Sequence, residues 1–232
     1  MKHPMPVLVA FLVVIGVALT AGAADRQQPS AERGKHLLQT RAFNPPIWPK
    51  QVYDNVWKVW GYTEKPGDFE QQVLDRYGLH PAPFDNKGYP LGLKEARGLL
   101  GVGITTDCMI CHGGSIFGQS YIGLGNASLD LQSLYEDLAQ AMGRKQATPF
   151  PFTNVRGTTE AGAMAVFLFQ LRDADLKLRP AVDLGMRTDL CEDAPAWWLL
   201  KKKQTMYHTG STNARSVRSI MQFMLTPLNS AE

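Results

Sequence analysis

The sequence predicts a mostly α fold with extensive loops, and three observations carry that expectation. Apolar residues recur at helical spacing in several segments, Gly- and Pro-rich text separates those segments, and runs with strand alternation are scarce. Hydrophobic residues make up 44% of the chain and charged residues 19%, a balance that fits a globular protein rather than a disordered one. At 232 residues the length suits one domain, with room for a short appendage.

Taken in order, residues 30–38 open with Ser30 and carry Glu32 early, a start signal for a short helix. Asn44-Pro45-Pro46-Ile47-Trp48-Pro49 breaks any helix, and residues 54–60 are expected to start another. Residues 65–103 read as loop, on the strength of His80-Pro81-Ala82-Pro83 and Lys87-Gly88-Tyr89-Pro90-Leu91-Gly92. After Ser128, the residues Leu131, Leu134, Tyr135, Leu138 and Met142 share a helical face, with Asp130 at its start and Gly143 as a stop. Residues 161–171, introduced by Thr158-Thr159-Glu160, are apolar nearly all round and predict a buried helix. Residues 173–195 read as a connection. A last helix begins at Ser211, has Val217, Ile220, Met221 and Met224 on one face, and ends at Pro227.

The N-terminus bears on compartment. Lys2 and His3 precede an uncharged apolar run, residues 7–19, that is short for a bilayer span. Ala21-Gly22-Ala23 then offers a small-x-small cleavage pattern ahead of polar Asp25-Arg26-Gln27-Gln28. Residues 1–23 therefore read as a secretory signal peptide, the competing reading being an uncleaved anchor. Residues 24–232 follow as a single domain, with a loop-rich N-terminal part and a C-terminal helical extension, and with no stable membrane span. A periplasmic or otherwise exported location is expected. Loss of Lys2 with the leader lowers the formal charge from +3 to +2, so net charge selects no partner. The basic run Lys201-Lys202-Lys203 reads as a solvated face or a docking patch for an acidic redox protein, and export argues against nucleic acid.

Two of the three cysteines stand in Cys108-Met109-Ile110-Cys111-His112, the C-x-x-C-H signature of covalent haem attachment. The spacing has a chemical reason. Two thiols add to the two vinyl groups of one porphyrin, and the next residue offers its imidazole to the iron from the same side. Cys108, Cys111 and His112 are thus the cofactor-binding residues for one covalent haem c, with His112 as iron ligand. A structural zinc site needs four ligands, and only Cys191, His36, His80 and His208 remain to complete one. A thioredoxin-like dithiol should open a helix after a strand, and Gly101-Val102-Gly103-Ile104-Thr105-Thr106 is not a long β run. Gly113-Gly114, Gly118, Gly123 and Gly125 keep steric bulk low, as close packing on a planar cofactor requires; no P-loop order follows them. Cys191 is left as a lone thiol, either buried or paired with another chain.

What lies opposite His112 sets the reactivity of the iron. Met142, Met164, Met186, Met206, Met221, Met224 and His208 follow the motif, and spacing does not rank them. Met186 and His208 stand in loop text and are the least easily explained as core. A second ligand makes an electron carrier; an open position admits peroxide or dioxygen.

Several segments resemble a known group. Arg33-Gly34-Lys35 is similar to the opening helix of many cytochrome c domains. The haem motif with Gly113-Gly114, then Gly123-Leu124-Gly125-Asn126, Asn154-Val155-Arg156-Gly157-Thr158-Thr159, and Pro195-Ala196-Trp197-Trp198 with Lys201-Lys202-Lys203 resemble the N-terminal haem half of di-haem cytochrome c peroxidase-like proteins and rubber oxygenases. The resemblance implies a cytochrome c-like haem domain, an exported redox protein, and a second haem in a further domain. This sequence holds a single C-x-x-C-H. The expected function is accordingly that of a mono-haem c-type cytochrome passing electrons to a redox partner protein. The alternatives are a haem peroxidase- or oxygenase-like enzyme, or one half of a di-haem enzyme. Arg156, Trp197 and Trp198 are candidates for propionate contacts or an electron path, against the plainer roles of a salt bridge at a helix start and aromatic core.

Overall fold

The computed structural model describes residues 29–99, 101–145, 155–160, 191–206 and 212–215. The chain divides into two compact units, Met1–Arg41 and Ala42–Glu232. In the first unit, helix α1 spans Ser30–Thr40, two residues beyond the predicted end, and buries none of its residues. Pro29 rather than Ser30 occupies its N-cap position, and Arg33 N donates to Pro29 O at 3.1 Å.

The second unit is mixed α/β, which corrects the expectation of a mostly α, cytochrome c-like fold. Its main sheet is antiparallel, in the order β1 (Trp48–Pro49), β3 (Gly101–Thr106), β2 (Leu93–Gly98). Leu93 pairs with Thr106 and Gly98 with Gly101, while Trp48 lies opposite Ile104. The strands escaped a pattern reading because Lys94, Glu95 and Arg97 interrupt any apolar alternation in β2. In β3 the β-branched residues Ile104, Thr105 and Thr106 follow glycines that read as loop.

Pro49 serves as N-cap to the short helix α2 (Lys50–Asp54), and a 3₁₀ turn covers Val56–Lys58, so the helix predicted from residue 54 starts earlier and tightens. Helix α3 (Phe69–Tyr77) lies inside the stretch predicted as loop. Its buried residues Phe69, Val73 and Tyr77 are spaced four apart on one face. Gly78, at φ +62°, ends it in the left-handed region, and Leu79 N returns to Leu74 O at 2.9 Å. Helix α4 is the single turn Met109–His112, and α5 is Leu131–Ala141. In α5 the predicted face is buried through Leu131, Leu134 and Leu138, and the Asp130 carboxylate caps the start by accepting from Ser133 N at 3.0 Å.

These elements close over a core that includes Tyr53, Val56, Phe69, Val73, Tyr77, Ile104, Ile110, Leu134 and Leu138. Helices α3 and α5 are also fastened by a polar clasp. Asp137 Oδ2 accepts from Arg76 Nε at 2.6 Å, Tyr77 Oη at 2.9 Å and Trp60 Nε1 at 3.1 Å. Three two-stranded antiparallel pairs complete the description: β4 (Gly113–Ile116) with β5 (Gln119–Ile122), β6 (Thr158–Glu160) with β7 (Cys191–Asp193), and β8 (Thr205–Met206) with β9 (Thr212–Asn213). A 3₁₀ helix spans Trp197–Lys202. Thr158–Glu160 is therefore strand rather than helix entrance, and so is Thr212–Asn213 where the last helix was expected. The predicted helix over 161–171 and the remainder of the last helix lie outside the described residues. No helix among the described residues is long and apolar enough to cross a membrane.

Candidate functional site

The C-x-x-C-H motif forms one helical turn. Asp107 initiates it: its Oδ1 accepts from Met109 N at 2.8 Å, and Ile110 N donates to Asp107 O at 3.1 Å. His112 N then closes the turn on Cys108 O at 3.0 Å. Met109 and Ile110 point into the protein and are buried, whereas Cys108, Cys111 and His112 are half-buried. That division follows from helix geometry, because positions i, i+3 and i+4 share a face. The three residues the attachment chemistry needs therefore stand side by side.

A helix of one turn leaves its carbonyls without partners in the helix itself. The loop after β5 supplies them. Gly123 N donates to His112 O at 2.7 Å, Asn126 N to Cys111 O at 2.8 Å, and Asn126 Nδ2 to Ile110 O at 3.2 Å. Asn126 is 2% exposed, and its Nδ2 also donates to Gly78 O at 2.9 Å, tying the motif to the end of α3. Its Oδ1 accepts from Ser128 N at 3.0 Å and lies 3.1 Å from His80 Nε2. His80 Nε2 is also 3.0 Å from Ser128 Oγ, so this histidine belongs to a polar hub beneath the motif. Burial lowers its pKa. Asn126 carries a positioning role that sequence reading missed; its place after Gly123-Leu124-Gly125 was the one available signal.

The His112 ring is fixed from the far end of the chain. Its Nδ1 lies 2.9 Å from Pro195 O, an atom that only accepts, so Nδ1 carries the proton and Nε2 keeps its lone pair. Metal-binding histidines are commonly oriented in this way, with the second nitrogen donating to a carbonyl. Trp197 packs on the same ring, centroid to centroid 5.4 Å at 38°, and its backbone N–H donates to Gly123 O at 2.8 Å. Burial holds the imidazole pKa low, the form able to bind a metal. Four of the glycines predicted to face a porphyrin, Gly113, Gly114, Gly123 and Gly125, lie against the protein's own atoms, whereas Gly118 has open space around it. A Cβ at Gly125 would stand 1.8 Å from Ala194 O, and one at Gly123 would meet the Trp197 ring at 3.1 Å.

Both motif thiols are free, and burial pushes each up to about 12. A redox dithiol needs a lowered pKa. The strand β3 does precede the motif, which removes one objection to a thioredoxin-like reading, but it is an antiparallel strand and the thiol chemistry points the other way. Among the described residues, no group of three or more His, Cys, Asp or Glu side chains is placed to hold a metal ion. The two sulfurs and the imidazole share one face of the motif turn. Such a donor set fits a macrocycle bonded at its periphery and ligated at its centre. Cys108 and Cys111 would hold the haem ring and His112 Nε2 its iron.

The other candidates separate. Met142 ends α5 and packs half-buried against the core. Met206 lies in β8 and Cys191 in β7 opposite Glu160. Met164, Met186, Met221, Met224 and His208 lie outside the described residues, and His36 lies on α1. Arg156 does not start a helix with a salt bridge; it caps the end of α3, donating from Nη2 to Asp75 O at 2.6 Å and Arg76 O at 3.0 Å, and from Nε to Ser128 O at 2.9 Å. Trp198 is exposed rather than core. A cleft lined by Trp60, Tyr62, Gln72, Asp75, Arg76 and Arg156 has its charged groups engaged internally. No protein-family model matches the sequence, and no curated protein matches it significantly.

Proposed function

We propose that this chain is an exported mono-haem c-type cytochrome, covalently attached through Cys108 and Cys111, ligated by His112, and working as a one-electron carrier. The observation that carries the reading is the motif turn itself: three residues of the attachment signature on one face, with the His112 proton committed to Pro195 O and Nε2 left as a ligand. When bound, haem supplies an iron that alternates between ferrous and ferric states. The chain's own part is to fix the ring by two sulfurs, to aim one imidazole, and to hold that imidazole neutral and oriented. A carrier asks for nothing beyond these and a second iron ligand.

The test is to express the chain where haem attachment operates and run the purified product on a denaturing gel stained for haem. A stained band at the chain's mass is the expected result, and an unstained one would overturn the reading. Optical spectra in both redox states, with and without carbon monoxide, then separate carrier from enzyme. A carrier gives a six-coordinate low-spin iron that does not take up the gas.

A further inference from the structure

The 3₁₀ helix Trp197–Lys202 buries none of its residues, yet its first residue is the one that packs on His112. Trp198 follows at 51% exposure and Leu199 at 41%. Lys201, Lys202 and Lys203 come next, all exposed, and no ion pair among the described residues engages them. The Arg215 guanidinium donates to Lys201 O at 2.9 Å and adds a fourth cation. Exposed apolar side chains beside charge that no described residue pairs have the make-up of a transient protein interface, where charge steers encounter and the apolar centre makes contact.

We infer that this face docks an acidic redox protein, with Trp197 as the contact between that partner and the His112 ring; the inference rests on the haem proposal above. An anionic membrane would match the charge and the tryptophan, but a six-residue turn has little of the apolar face that surface-lying helices use. A membrane would also make no use of the Trp197 contact to His112. Bound haem would supply the iron for a single-electron exchange with the partner's one-electron centre. One is oxidised as the other is reduced, no bond is made or broken, and no proton moves.

The test uses the full haem-loaded chain with plastocyanin, an acidic copper protein, as probe. Stopped-flow exchange with copper should be slowed about tenfold or more by Lys201→Glu/Lys202→Glu/Lys203→Glu at low ionic strength, with the difference closing near ~0.5 M salt. Carbodiimide, which joins lysine amines to carboxylates, should cross-link the wild-type chain to plastocyanin at Lys201–203 as mapped by mass spectrometry. Equal rates for the two chains, or cross-links confined to other lysines, would overturn the inference while leaving covalent haem intact. So would co-sedimentation with phosphatidylserine vesicles in place of a plastocyanin complex. Absence of covalent haem is the separate failure of the underlying reading.

Discussion

Lys94 and Asp107 form a buried ion pair one residue ahead of the first motif thiol, with Nζ 3.8 Å from Oδ2 and exposures of 3% and 1%. Asp107 Oδ2 accepts no hydrogen bond, and burial pushes this carboxyl up to about 6 despite the lysine. Burial also lowers Lys94. Both groups are costly alone and tolerated together. Asp107→Asn should therefore destabilise the protein by about 3 kcal/mol at neutral pH, because it removes the carboxylate that faces the buried lysine. Adding Lys94→Met should recover most of that loss in urea denaturation. Because the folded pKa of Asp107 exceeds its unfolded value, the folded state holds the extra proton between pH about 4 and about 6, and this group's contribution to stability falls as pH rises through that window. Wild type and the double variant, compared across it, should differ in slope.

Asn126 offers a second test. Asn126→Ala removes the bonds it makes to Ile110 O, Gly78 O and Ser128 N, with Gly78 O still accepting from Ser128 Oγ, at an expected cost of about 3 kcal/mol. Asn126→Asp should cost more, since it aims a carboxylate at two carbonyl oxygens. Thermal unfolding of both variants orders them.

Gly125→Ala examines the path from the loop to His112. The added methyl would overlap Ala194 O, which is backbone and cannot swing aside, so residues 194–197 must move outward. We expect a loss of about 2 kcal/mol and, with it, a disturbed Trp197 environment seen as a shift in tryptophan emission. The conservative control is Ser115→Ala in β4, which breaks only a 2.9 Å hydroxyl contact to Ser120 in β5.

Arg156→Ala distinguishes a helix cap from a haem contact. It should cost about 1–2 kcal/mol by stranding the last carbonyls of α3. Haem content and absorption spectrum should not change. A shifted spectrum at unchanged stability would return Arg156 to the haem.

What was legible in the sequence was what is encoded locally. Cys108, Cys111 and His112 share a face because five consecutive residues make one turn, and α5 was readable from its apolar spacing and the cap at Asp130. Helix α3 was hidden because Pro66, Gly67 and Gly78, which bound it, colour the whole stretch as loop. The sheet was hidden for a different reason. Lys94 occupies a buried strand position on account of Asp107, which lies in another segment, so its polarity misleads any local pattern. The bond from His112 to Pro195 joins residues 83 apart, and no spacing rule reaches that far.

The grip of residues 123–126 and 195–197 on the motif also bears on the order of events in making this protein. Once those segments close, Cys111 packs against the core and both sulfurs are held as protonated thiols. In the open chain the same sulfurs are accessible and ionise more readily. Haem attachment at Cys108 and Cys111, as proposed, would accordingly belong before closure, with folding as the latch that follows it.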